Sequence, residues 1–130
     1  SEVGKYSNER LEIKNCGWVS REEKDVLLSE SDFLLSPSEY EGSSMSVIES
    51  MVSGLPCIVS GTSEETVGLE DLIVRENNSE KWADRILTLS DSTRYLQVVD
   101  SILEESQKYR PETNRTKIEK IYNNLCSKQL

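Results

Sequence analysis

Apolar residues change spacing from segment to segment along this chain, and the changes mark its elements. After a polar opening over Ser1–Glu9, Leu11, Ile13 and Cys16 recur in near alternation, which predicts a strand ending at Gly17. Ser20 with Glu23 three residues later is a capping-box pattern. Val26, Leu27 and Leu28 then supply an apolar face, so a helix is predicted up to Asp32. Phe33, Leu34 and Leu35 form a continuous apolar run closed by Ser36-Pro37, the pattern of a buried parallel strand. A polar loop, Ser38 to Ser44, leads into Met45, Val47, Ile48, Met51 and Val52 at helical spacing, and Gly54 with Pro56 stops that helix.

Two more short apolar runs, Cys57-Ile58-Val59 and Leu72-Ile73-Val74, predict buried strands. Ser79 is placed to cap a helix with the face Trp82, Ile86 and Leu89. Asp91 or Ser92 caps another carrying Leu96, Val99, Ile102 and Leu103. Pro111 interrupts, and a last helix carries Ile118, Ile121, Tyr122 and Leu125. Strands alternating with helices predict an α/β domain with a parallel sheet. At 130 residues the chain is sized for one domain, 1–130.

Composition narrows the chemistry. There is no histidine, which removes Ser-His-Asp and Cys-His nucleophile pairs and His-ligated zinc. Cys16, Cys57 and Cys126 are widely spaced and form no CxxC, so they read as reduced thiols of a cytoplasmic protein, with Cys57 inert in its strand. No run of about 20 apolar residues is present, and the polar opening reads as no signal peptide, so neither a membrane span nor a secretory leader is expected. A net charge of −9 disfavours nucleic acid as a partner. Its distribution is more telling: between Lys24 and Arg75 lie 50 residues with ten acids and no Lys or Arg. Any phosphate bound there must rely on backbone amides or on cations from elsewhere. The last stretch is basic, with Lys108, Arg110, Arg115, Lys117, Lys120 and Lys128, and reads either as a solvated helix face or as a peripheral membrane contact.

Ligands of open parallel sheets bind at the carboxyl ends of strands, where loops enter helix N-termini. The loop after the Phe33 strand therefore holds the candidate site. Free amides of Gly42, Ser43, Ser44, Met45 and Ser46, at the positive end of the following helix, can meet an anion, and Glu49 one turn on can accept from hydroxyls. A polar loop that merely caps a helix is the plainer reading of the same residues. Glu39 reads as a solvated loop acid, the side chains of Met45 and Met51 as core, and Trp18 and Trp82 as packing residues.

The succession GWVSREE, DFLLSPSEYEG, EGSSMSVIESMVSGLPCIVS and DLIV, followed by the Ser79 helix, resembles the C-terminal lobe of retaining GT-B glycosyltransferases, the group 1 family. The likeness runs from Leu11 to Tyr122. Its most specific element is the pair Glu41 and Glu49, set between a strand ending in PS and the strand PCIVS. The resemblance implies a Rossmann-like lobe that holds the nucleotide of a nucleotide-sugar donor. Glu49 would bind the ribose hydroxyls, the amides of Gly42 to Ser46 the diphosphate and sugar, and Glu41 would be the catalytic carboxylate beside the donor sugar. Glu64 or Glu65 would lie near the donor, unless they are simply solvated. It further implies metal-independent hexosyl transfer with retention and no cofactor, to a glycan or lipid-linked acceptor. The setting would be bacterial cell-envelope polysaccharide or lipopolysaccharide synthesis, at the inner face of the membrane.

The sequence also departs from that pattern. A complete lobe begins with two further strands, the first ending in a glycine-bearing loop whose Arg and Lys neutralise the diphosphate, and neither is found here. The chain is therefore expected to be part of a longer transferase and inactive alone. In the family's strand order, 3-2-1-4-5-6, the missing pair would separate the Leu11 and Phe33 strands. Direct pairing of those two strands, or a homodimer, is the resulting expectation. Two other classes share parts of this pattern: a GT-B-like nucleotide-sugar epimerase, and a non-catalytic interaction module whose acidic loop meets a basic partner.

Overall fold

The computed structural model describes residues 11–127. Three parallel strands, β1 (Leu34–Ser36), β2 (Cys57–Ser60) and β3 (Ile73–Val74), lie in the order β1-β2-β3. Leu34 stands opposite Cys57 and Ser36 opposite Val59, while Val59 and Ser60 face Ile73 and Val74. Flanking them are α1 (Arg21–Ser29), α2 (Met45–Val52), α3 (Glu64–Val67), α4 (Ser79–Leu89), α5 (Ser92–Glu105) and α6 (Pro111–Ser127). The expected α/β, Rossmann-like parallel architecture is present.

Burial explains why β2 is central. All four of its residues are buried, and Cys57, Ile58 and Val59 pack with Val47 and Met51 of α2, Leu72 to Val74, Leu89 of α4, and Val98 and Ile102 of α5. Removing a side chain of Ile58's size from water contributes about 1.5–3 kcal/mol. Burial also pushes the Cys57 thiol up to about 12, so it stays protonated and unreactive near neutral pH.

Local signals set the helix ends. Ser20 Oγ accepts from the Glu23 amide while Glu23 Oε2 accepts from the Ser20 amide at 2.7 Å, closing the capping box of α1. That reciprocal bonding holds the Glu23 carboxyl below its ordinary pKa. At the end of α2, Gly54 takes φ of +74°, and Leu55 N–H donates to the Ser50 carbonyl at 2.9 Å. Asp91 caps α5 by accepting from the Thr93 and Arg94 amides. Tyr95 of α5 packs edge-on against Phe33, its hydroxyl donating to the Asp32 carbonyl at 3.1 Å, which ties α5 to the start of β1.

Several expectations need correction. No strand forms over Leu11–Cys16: Leu11 makes an isolated bridge, and the rest of the segment is irregular. Asn15 Oδ1 accepts from Gly17 N–H at 3.0 Å and Gly17 takes φ of +59°, a turn that competes with extended backbone. The Leu11 segment is thus not in the sheet, and its expected pairing with the Phe33 strand is not made. Among the described residues the Phe33 strand is an edge rather than a buried interior strand, with Leu35 45% exposed. On α1, Val26, Leu27 and Leu28 are none of them buried. Asn78, not Ser79, caps α4, because its Oδ1 reaches the Lys81 amide. On α5 the buried residues are Val98 and Ile102, while Leu96 is exposed; the burying face is rotated from the one read in sequence. Trp18 is fully exposed, and so largely is Met45, at the first position of α2, whereas Met51 is core and Trp82 packs against it. Ile118, Ile121 and Tyr122 of α6 are exposed too.

Candidate functional site

At the carboxyl ends of β1 and β2 the chain makes one hydrogen-bonded loop cluster. β1 ends at Ser36 and β2 at Ser60. The Ser38 carbonyl accepts from both Ser60 Oγ and Thr62 Oγ1, the latter at 2.8 Å, which fastens the loop after β1 to the turn after β2. Ser38 Oγ in turn lies 3.2 Å from Glu41 Oε2 and 3.0 Å from the Tyr40 carbonyl. The Glu41 carboxylate is therefore held on a braced loop, half-buried.

Glu41 opens onto a cleft of about 450 Å³ that it shares with Gly42, Ser43, Thr62, Glu65, Thr66 and Tyr109. Thr62 and Tyr109 carry no signal in the sequence. Tyr109 comes from a 3-10 turn after α5, and its hydroxyl donates to the Thr66 carbonyl at 2.7 Å, a contact between residues 43 positions apart. Gly42 is not required sterically, because an added Cβ there would meet nothing within 4 Å.

α2 begins immediately after this loop. Ser44 is its N-cap, with φ −71° and ψ 113°, but its side chain caps nothing. Among the described residues no side chain caps the first amides of α2, and those of the exposed Met45 and Ser46 leave the positive end of the helix dipole to a ligand or solvent. Ser44, Met45, Ser46 and Glu49 do not line the cleft of Glu41. One turn into α2, Glu49 Oε2 lies 2.6 Å from Lys24 Nζ of α1, an ion pair that the sequence did not announce.

Cations do reach the acidic segment from outside it. Besides Lys24, Lys108 Nζ lies 3.4 Å from the Glu65 carbonyl and 5.2 Å from the centre of the Tyr109 ring. Arg75 is engaged by Glu70 at 2.5 Å and Glu64 at 2.9 Å, Glu70 contributing most to holding its guanidinium charged. Glu64 is thereby committed to Arg75, while Glu65 stays at the cleft. Glu39 remains an exposed loop acid, within 3.4 Å of Asn77 Nδ2. Among the described residues no three His, Cys, Asp or Glu side chains are gathered to hold a metal ion, and no helix is long and apolar enough to cross a membrane.

A parallel sheet whose strand ends carry a braced carboxylate, uncovered amides at a helix start and a second carboxylate one turn on defines a Rossmann-like α/β domain with a candidate ligand site at its carboxyl edge. A family model, glycosyl transferases group 1, matches residues 2–92. The chain belongs to that family and is a glycosyltransferase by membership. The match takes in all three strands and both glutamates and ends at the start of α5. Neither curated proteins nor solved structures yield a match.

Proposed function

We propose that this chain forms the nucleotide-sugar-binding lobe, the C-terminal one, of a retaining GT-B glycosyltransferase. The observation that carries the reading is the uncapped start of α2 at the carboxyl end of β1, flanked by Glu41 and Glu49. In this reading the amides of Gly42 to Ser46 take the diphosphate and sugar. Each charge favourably placed at a helix start contributes about 0.3–1 kcal/mol, and up to about 2 kcal/mol where water is partly excluded. Glu49 accepts from the ribose and Glu41 stands beside the donor sugar.

Transfer then follows from charge placement. The bond from the sugar's anomeric carbon to the phosphate oxygen breaks while a bond to the acceptor hydroxyl forms on the same face, through an oxocarbenium-like transition state. The acceptor's proton passes to the leaving phosphate oxygen, so this lobe needs no histidine base, and the reading uses no metal or cofactor. A second lobe brings the acceptor, a glycan or lipid-linked sugar, together with further cations. The chain alone is expected to transfer nothing, and its proposed setting is hexosyl transfer in cell-envelope polysaccharide synthesis at the cytoplasmic face of a membrane.

Calorimetric titration of the chain with UDP and with GDP tests the reading. Saturable binding of one of them at submillimolar to millimolar concentration is expected. Heat no greater than that of inorganic pyrophosphate at the same concentration would contradict it.

A further inference from the structure

Lys24 and Glu49 come from different helices, and their contact is unusually placed. The two side chains are 31% and 35% exposed, yet Glu49 Oε2 itself is sealed from solvent. It receives no directed hydrogen bond from any described group, so the Lys24 ammonium at 2.6 Å is what offsets its charge. The accessible part of this side chain is consequently not Oε2. α1 contributes no buried residue, and this pair links its first turns to α2. The capping box fixes that start: Lys24 N–H donates to the Ser20 carbonyl at 3.0 Å, one residue after Glu23 closes the box.

We propose that Lys24 is a specificity-determining residue that, with Glu49, reads the ribose diol as a donor–acceptor pair. The proposal rests on Glu49 being the ribose carboxylate. A free carboxylate accepts from two vicinal hydroxyls with its two oxygens. Here Oε2 is occupied, leaving one carboxylate oxygen for one hydroxyl. The ammonium has three N–H donors and its contact with Oε2 is an ion pair rather than a directed hydrogen bond, so an N–H is left to donate to the neighbouring hydroxyl. The pair then recognises one hydroxyl as donor and the other as acceptor, and loss of either leaves a charged group without its partner. An ion pair about one-third exposed on each side contributes about 0–1 kcal/mol to fold stability, so substituting Lys24 should leave the domain folded and its effect on ligand binding readable.

The test compares UDP and GDP with their 2′-deoxy and 3′-deoxy counterparts by calorimetry, on the whole chain and its Lys24 variants. For the nucleotide that binds, each deoxy analogue should bind the unaltered chain about tenfold more weakly. In Lys24→Met the penalty should fall to about twofold for at least one analogue, while Lys24→Arg, which keeps charge and donors, should retain most of it. Amide spectra unchanged outside α1 and α2 would show that the variants are folded. If Lys24→Met weakens ribo and deoxy forms by one common factor, the lysine serves the phosphates and the proposal is overturned. It is equally overturned if Lys24→Met changes nothing. If the unaltered chain binds none of the nucleotides, the ribose reading of Glu49 itself has failed, a result separate from a variant-specific failure.

Discussion

Glu49→Ala is expected to weaken nucleotide binding about 10- to 150-fold, because a hydrogen bond to a charged group is worth about 1.5–3 kcal/mol and no other described carboxylate sits one turn into α2. The loss should be concentrated in ribonucleosides. Inorganic pyrophosphate, which offers only the anion, should be affected little, since the amides at the start of α2 remain in place. Folding should survive the change. The Lys24 pair that disappears with it is about one-third exposed on each side, and such pairs contribute about 0–1 kcal/mol. Parallel titrations with the diphosphate and with pyrophosphate therefore separate a ribose contact from a general loss of structure.

Ile58→Ala should have the largest effect on stability, about 2–5 kcal/mol, read as a lower urea midpoint with unchanged slope. Ile58 is fully buried in β2, the central strand, and is register partner to Leu35 of β1. A domain of this size has about 5–15 kcal/mol in total, so the substitution leaves a sizeable unfolded fraction at ambient temperature. The neighbouring edge residue Leu35 is register partner to Ile58 but 45% exposed, and its truncation should cost distinctly less. The contrast between the two measures how unevenly the sheet is covered.

That unevenness also explains which elements were legible in the sequence. Signals written within a few residues were decisive: the Ser20–Glu23 box, Gly54 after α2, Asp91 before α5, and the apolar run of β2. Signals that depend on what packs alongside were less so. Leu11 and Ile13 alternate as a strand would, but alternation forms a ladder only beside a partner, and a local Asn15–Gly17 turn prevails. The run Phe33-Leu34-Leu35 resembles β2 in composition, yet among the described residues only one of its edges is paired. Met45 fits the helical period of α2 but falls at its first position, beyond the reach of the sheet.

The candidate site divides in the same way. Its backbone part, a polar loop running into α2 with Glu41 and Glu49 in reach, is a sequence-local pattern. What surrounds it comes from distant segments. Thr62 braces Ser38 across 24 positions, Tyr109 closes the cleft of Glu41 by way of Thr66, and Lys24 reaches Glu49 between helices. The absence of Lys and Arg from 25–74 directs attention to cations outside that segment. It could not indicate that Lys24 and Lys108 are the ones that arrive.

The measurement that bears most directly on the proposed donor-binding lobe is an amide-resolved NMR titration with UDP, GDP and their sugars. The expected result is saturable shifts concentrated in residues 42–49 and at Lys24, with one nucleotide preferred. Shifts centred instead on the cleft formed by Arg75, Lys81 and Arg85, or no shifts at millimolar ligand, would contradict nucleotide binding at the start of α2.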